Sequence, residues 1–125
     1  MLLPRMEDRI QIVTHRGKAV MVIDFRDCTA QQVLAIATDA QAQIADQPRD
    51  SVLTLADFTG AQIDKGAATR IKEALAMDRP YVKRSAWVGT DSLPKVFYEN
   101  FKSFSQREFP AFKTREEAMD WLVRD

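Results

Sequence analysis

Three aspartates stand where an α/β chain would do phosphoryl or metal chemistry. Asp24 interrupts the apolar run "AVMVIDF", Asp57 ends "SVLTLAD", and Asp91 follows "YVKRSAWVG". Ligands of open α/β sheets bind beyond the carboxyl ends of the strands. Two or three carboxylates gathered there would hold Mg²⁺ through hard oxygen ligands. The hydroxyls of Thr59 and Thr90 and the ammonium of Lys113 fall near the same ends and would complete a phosphoryl-handling site. A plainer use is open to the same acids: Asp24 accepting loop N–H groups, Asp57 capping a turn, Asp91 capping a helix. The plainer use is the expected one, so no catalytic residue, metal or cofactor is assigned. The Mg²⁺-dependent enzyme reading then rests on one condition: the carboxylates of Asp24 and Asp57 must converge.

Other reactive residue types offer less. His15 is the single histidine. It sits in the turn "HRGK" beside Arg16 and Lys18, where a solvated side chain is expected and a triad has no nucleophile or orienting acid. Cys28 is the single cysteine. It precedes a helix start and reads as a small apolar staple residue rather than a reactive thiol. No His/Cys spacing fits zinc. The four glycines are scattered singly, which excludes a phosphate-binding glycine loop.

The densest feature is "VFYENFKSFSQREFPAF", residues 96–112, with five of the seven phenylalanines and Tyr98. Val96, Phe97, Phe101 and Phe104 form one face of a helix. Core cover needs about three such side chains, since aromatics carry much of any core's burial. The surplus would line an apolar pocket, form a dimer patch or touch a membrane surface. Lys95, Lys102, Arg107 and Lys113 surround the rings, a mixture compatible with peripheral contact with anionic lipid. Phe97, Tyr98, Phe101 and Phe104, with Thr59 and Lys65 from the preceding loops, are the expected ligand or partner contacts.

The elements that must position these residues follow from periodicity. "RIQIVTH" (9–15) alternates as a half-buried strand, "HRGK" supplies a tight turn with Gly17, and "AVMVIDF" (19–25) is a central strand. Thr29 and Gln32 form a capping box ahead of a helix whose inner face is Val33, Ile36, Ala37, Ala40 and Ile44. Pro48 stops it. "SVLTLADF" (51–58) is a strand. Asp64 caps a helix with Ala67, Ala68, Ile71, Ala74 and Leu75 inward, ended by Pro80. "YVKRSAWVG" (81–89) is a strand, and a helix follows from a cap at Thr90, Asp91 or Ser92 with Pro94 in its first turn. "REFPAF" (107–112) is a short strand that Pro110 confines to an edge. Thr114 and Glu117 form a second capping box before a last helix with Ala118, Trp121 and Leu122 inward. The order ββαβαβαβα predicts a mixed, mostly parallel open α/β sheet of about five strands, opened by a β-hairpin, with about four helices.

A length of 125 residues predicts a single domain, 1–125, with residues 1–8 flexible. Lys plus Arg equals Asp plus Glu at 18 each, and that balance lacks the basic excess of nucleic-acid binders. The charged start "MLLPRMEDRIQ" is not a signal peptide, and no apolar run approaches a bilayer span. With its lone cysteine, the chain is expected in a bacterial-type cytoplasm.

The hairpin opening, "LTLADFTGAQIDKGAATRIKEAL", "PYVKRSAWVG" and the terminal "TREEAMDWL" resemble STAS-like domains, relatives of bacterial anti-anti-sigma factors, and among them the small stand-alone SpoIIAA-like group. The likeness runs from Arg9 onward. It implies an open sheet with helices and a binding role, not an enzyme. The family's switch loop reads D-S-S-G, with a serine that a partner kinase phosphorylates. The matching stretch here is "IDKGA" (63–67). Asp64 and Gly66 fit the flanks, but Lys65 replaces the hydroxyl, so the phospho-switch is expected to be absent.

Three functions follow as expectations. The first is a non-enzymatic STAS-like binding or regulatory domain, a homodimer that engages a protein partner or small ligand through an exposed patch involving Phe97, Tyr98 or Phe101. The second is a small apolar-ligand or lipid-binding module with an enclosed pocket under the aromatic helix 93–105. The third is the Mg²⁺-dependent enzyme using Asp24 and Asp57.

Overall fold

The computed structural model describes residues 5–105 and 110–124; the side chains of Lys102, Phe104 and Ser105 also lie outside the described set. β1 (Ile10–His15) and β2 (Lys18–Asp24) form an antiparallel hairpin. Arg16 and Gly17, at φ 51° and 80°, make the turn, both in the left-handed region that a right-twisted two-residue hairpin requires. β3 (Val52–Asp57), β4 (Val82–Val88) and β5 (Ala111–Phe112) extend the sheet in parallel, in the order β1-β2-β3-β4-β5. The α-helices are α1 (Ala30–Ala45), α2 (Lys65–Asp78), α3 (Lys95–Ser105) and α4 (Arg115–Leu122). The predicted α/β architecture and element order are those observed.

Successive strand residues point to opposite faces, and this divides the core in two. Met21, Ile23, Val52, Ala56, Val82 and Trp87 pack beneath α1, α2 and α3. Val20, Val22, Leu53, Leu55, Ala86 and Val88 pack beneath α4 with Ala118 and Leu122. The buried face of α1 is Val33, Ile36, Ala37, Ala40 and Ile44, and the Thr29–Gln32 capping box is complete. Cys28 and Val33, the staple pair, are fully buried. Thr54 and Ser85, register partners on β3 and β4, meet their buried hydroxyls at 2.7 Å.

Several local expectations are corrected. β1 is not half-buried: at the sheet edge, with only β2 beside it in the sheet, it leaves Ile12 60% exposed. Residues Met6–Asp8 form a short 3₁₀ turn. Thr90–Ser92 is a separate 3₁₀ turn without a side-chain cap, and α3 begins only at Lys95, its first carbonyl acceptor being that of Pro94. Thr114 caps α4 through the Glu117 amide, but Glu117 answers the Thr114 hydroxyl rather than its backbone N–H. Leu75 and Trp121 pack against the core as expected but are only half-buried, and Asp78 joins the buried residues of α2. Of the predicted strand 107–112, residues 107–109 lie outside the described residues; Ala111–Phe112 pair beside β4 at the sheet edge.

Candidate functional site

Asp24 and Asp57 close adjacent parallel strands and are register partners. The strand ends therefore do bring the two predicted acids together, both buried. Their side chains turn to the α4 face, where three arginines meet them. Arg115, the first residue of α4, donates from Nε to Asp57 Oδ2 at 2.8 Å and holds Nη2 3.4 Å from Asp24 Oδ1. Arg26 grips Asp24 in a fork, Nη2 to Oδ2 at 2.7 Å and Nε to Oδ1 at 2.9 Å. Arg9, the residue before β1, is itself 5% exposed. Its Nη1 donates to the Arg26 carbonyl at 2.8 Å and lies 3.6 Å from Asp24 Oδ1.

This geometry decides what the acids can do. Asp24 Oδ1 also accepts the Arg26 amide at 3.0 Å, and Asp57 Oδ1 accepts both the amide and the hydroxyl of Thr59, at 3.0 and 2.7 Å. These are the loop bonds expected of strand-end aspartates. The remaining oxygen capacity faces guanidinium groups, which oppose a divalent cation directly. Asp91 stands apart in the exposed 3₁₀ turn and caps no helix, and Lys113 is exposed. Among the described residues no group of three or more His, Cys, Asp or Glu is arranged to hold a metal ion. Burial alone would raise the Asp24 carboxyl; hydrogen bonds from Arg26 and the charges of Arg26 and Arg115 outweigh it and hold the carboxyl below its ordinary value.

The next residue on each strand turns the other way. Phe25 and Phe58 stack with ring centroids 4.8 Å apart, and Phe58 meets Trp87 at 4.8 Å. Trp87 in turn contacts Tyr98 at 5.6 Å and Phe101 at 5.8 Å on α3. Phe101 is wholly buried and is core, not contact surface. Phe97 and Tyr98 are half-buried against the same cluster. Val96, expected inward, is 60% exposed. The side chain of Phe104 lies outside the described residues. An apolar space of about 50 Å³ lies between the sheet and helices α1 and α2, lined by Ile44, Ile71, Leu75 and Trp87 and by no described residue of α3. It is room for a few waters, far below the several hundred Å³ of a drug-sized ligand site.

The loops and α3 are tied into one end of the molecule. Gly60 N–H donates to Ser92 Oγ at 2.7 Å, joining the loop after β3 to the turn before α3. Gly89 sits at φ 73°, and a Cβ there would lie 2.7 Å from Thr59 Cα, so the two loops touch backbone to backbone. Thr59 is exposed with its hydroxyl engaged by Asp57. Asp64 caps α2 through the Ala67 amide at 2.8 Å, leaving Lys65 exposed at the first helical position. α2 packs against α3.

Two single residues differ from expectation or sharpen it. His15 is not simply solvated: Nε2 meets Asp120 Oδ1 at 2.8 Å, and Arg16 Nη2 lies 3.3 Å from the same oxygen, which pins the hairpin to α4. Burial pushes the Cys28 thiol up, away from the reactive thiolate. The arginines were the residues missed by sequence reasoning. Strand alternation offered a signal for Arg9, which shares a β1 face with Gln11 and Val13. Arg115 is separated from Asp57 by 58 positions, and nothing local announces that pairing.

With this geometry in hand, the chain is similar to the solved structure of an anti-sigma-factor antagonist (STAS) domain protein from Planctomyces limnophilus. The TM-score is 0.59 at 16% identity, over 92% of this chain and 98% of that one. The fold is STAS-like. No family model matches the chain, and a search of curated proteins finds no match. The STAS-like likeness thus lives in the order and packing of the elements rather than in shared residues. Among the described residues no helix is long and apolar enough to cross a membrane.

Proposed function

We propose that the protein is a non-catalytic, STAS-like regulatory binding domain that self-associates and engages protein partners through the end formed by residues 59–65 and the outer side of α3. One observation carries this reading. Val96 stands 60% exposed at the start of α3, next in sequence to half-buried Phe97 and Tyr98, and the turn before that helix is bonded to the 59–65 loop through Ser92 and Gly60. Exposed Lys95 and Glu99 lie one turn apart along the side of α3 next to Val96. Such a face is self-complementary: across a two-fold axis the lysine of one copy meets the glutamate of the other. Lys65 in place of a switch serine supports a constitutive contact rather than one controlled by phosphate there. The arginine pairing of Asp24 and Asp57 supports a non-enzymatic role.

Native mass spectrometry of freshly purified protein tests this. A dimer is expected for the wild type, with Val96→Glu and Lys95→Glu shifting it to monomer and the Lys95→Glu/Glu99→Lys double variant recovering it. A monomer under all four conditions contradicts self-association.

A further inference from the structure

The arginine cluster has a second feature that its pairing with Asp24 and Asp57 leaves unused. A groove of about 260 Å³ runs over β2 between β1 and α4. Its walls follow from alternation and helical spacing. Arg9, Gln11 and Val13 share one face of β1, Val22 and Asp24 share the same face of β2, and Arg115 and Met119 lie one turn apart on α4. At its carboxyl end stand Arg9, Arg26 and Arg115; Val13, Val22 and Met119 give the rest an apolar lining.

Hydrogen bonding points to a ligand. Arg9, Arg26 and Arg115 meet the carboxylates of Asp24 and Asp57. Asp8, bonded to Arg5, also lines the groove, and Asp27 adds a negative charge near Arg26. Two buried donors, Arg9 Nε and Arg115 Nη2, have no hydrogen-bond acceptor among the described residues. Arg115 Nη2 is at ion-pair distance from Asp24 Oδ1 but is not aligned to donate to it. Buried donors are matched in native proteins, and each unmatched one costs about 1–3 kcal/mol. A single oxyanion would answer both donors, and guanidinium groups match carboxylate and phosphate oxygens in charge and shape.

We infer that this groove is a binding site for a small organic anion, a carboxylate or phosphate monoester bearing a short apolar group. The oxyanion meets Arg9 and Arg115, and the apolar group lies on Val13, Val22 and Met119. The site is on the α4 face of the sheet, which the α3 surface does not share, so it stands or falls apart from the proposed interface.

The test is an NMR titration of the intact protein with butyrate, butyl phosphate, inorganic phosphate and, at matched ionic strength, sodium chloride. The Arg9 Nε–Hε resonance reports the head group, and the Met119 methyl reports the chain. Butyrate or butyl phosphate is expected to move both signals saturably, and the tighter of the two identifies the preferred head group. Inorganic phosphate is expected to move Arg9 alone and to bind more weakly than butyl phosphate. Arg115→Gln should abolish the response. Because Arg115 also anchors α4, the decisive variant is Val13→Glu, a change at a partly exposed edge-strand position, expected to keep the fold and weaken binding about tenfold by like-charge repulsion. Shifts that chloride reproduces in full, or an unchanged affinity in folded Val13→Glu, would overturn the site.

Discussion

Asp24 and Asp57 are register partners at the ends of adjacent parallel strands, and a single guanidinium, that of Arg115, reaches toward both. The pairing joins β2, β3 and the start of α4 at one point. It also makes each strand end two-sided, because the following residues, Phe25 and Phe58, stack on the opposite face. Charge is fixed on one side and the aromatic path to α3 on the other. The carboxylates anchor arginines at this corner.

Removing one anchor should be costly. Asp24→Ala leaves Arg9 and Arg26 without their shared carboxylate in a buried setting, and breaking such an arrangement costs about 3–5 kcal/mol. Thr59→Ala removes only the hydroxyl bond to Asp57, about 1 kcal/mol. Urea unfolding should rank the two variants in that order. Equal midpoints would contradict the anchoring role.

Acid should loosen the same corner. The folded Asp24 carboxyl lies below its ordinary value. A depressed carboxylate contributes stability that is complete above the unfolded value of about 3.9 and is lost as pH falls through the folded one. Arg26→Gln removes the fork that lowers it, so the Asp24 carboxyl should rise and acid unfolding should begin at a higher pH. Carboxyl ¹³C NMR and circular dichroism from pH 5 downward measure the two effects.

The hairpin clasp gives a separate titration. The Asp120 carboxyl is lowered first by the hydrogen bond from His15, against an opposing effect of burial, and further by the charges of Arg16 and His15. His15→Ala should return it toward the ordinary carboxylate value, and Arg16→Ala should move it less. NMR titration of Asp120 in the two variants reads the order; a larger shift in Arg16→Ala would show that charge, not the imidazole contact, governs this carboxyl.

Two glycines with nearly the same backbone should respond differently to alanine. Gly17 and Gly89 have φ of 80° and 73°, but a Cβ at Gly17 meets nothing within 4 Å, whereas one at Gly89 runs into the Thr59 backbone. Gly17→Ala should cost about 1 kcal/mol, the conformational penalty alone. Gly89→Ala should cost more, because two loop backbones must part. Thermal unfolding of both variants checks the difference.

Much of the fold could be read from local chemistry. The inner face of α1, the Thr29 and Asp64 caps and the hairpin turn all rest on periods and residues a few positions apart, where a helix or turn leaves a fixed signature. The places that differed depend on partners distant in sequence. Ile10 and Ile12 alternate with Gln11, Val13 and Thr14 like a half-buried strand, yet how much of an edge strand is covered depends on what the rest of the chain packs beside it. Val96 reads as part of the aromatic stripe, but it lies about 100° round α3 from Phe97 and further from buried Phe101, and it is exposed. Strand ends located Asp24 and Asp57 correctly, but the three arginines that define their chemistry come from β1, the β2–α1 loop and α4, and only the assembled sheet brings them together.

The proposed interface is tested most directly by a photo-reactive phenylalanine analogue placed at position 96 in living cells, with the same residue at position 34 as control. Both sites carry exposed apolar side chains on outer helix surfaces, Val96 at 60% and Leu34 at 40%. Cross-linking from position 96 should join the chain to a second copy, or to another protein, through peptides that mass spectrometry identifies, and Lys95→Glu should suppress the product. Position 34 should give none of it. Equal products from both positions, or none from position 96, would contradict a binding surface at this end of the fold.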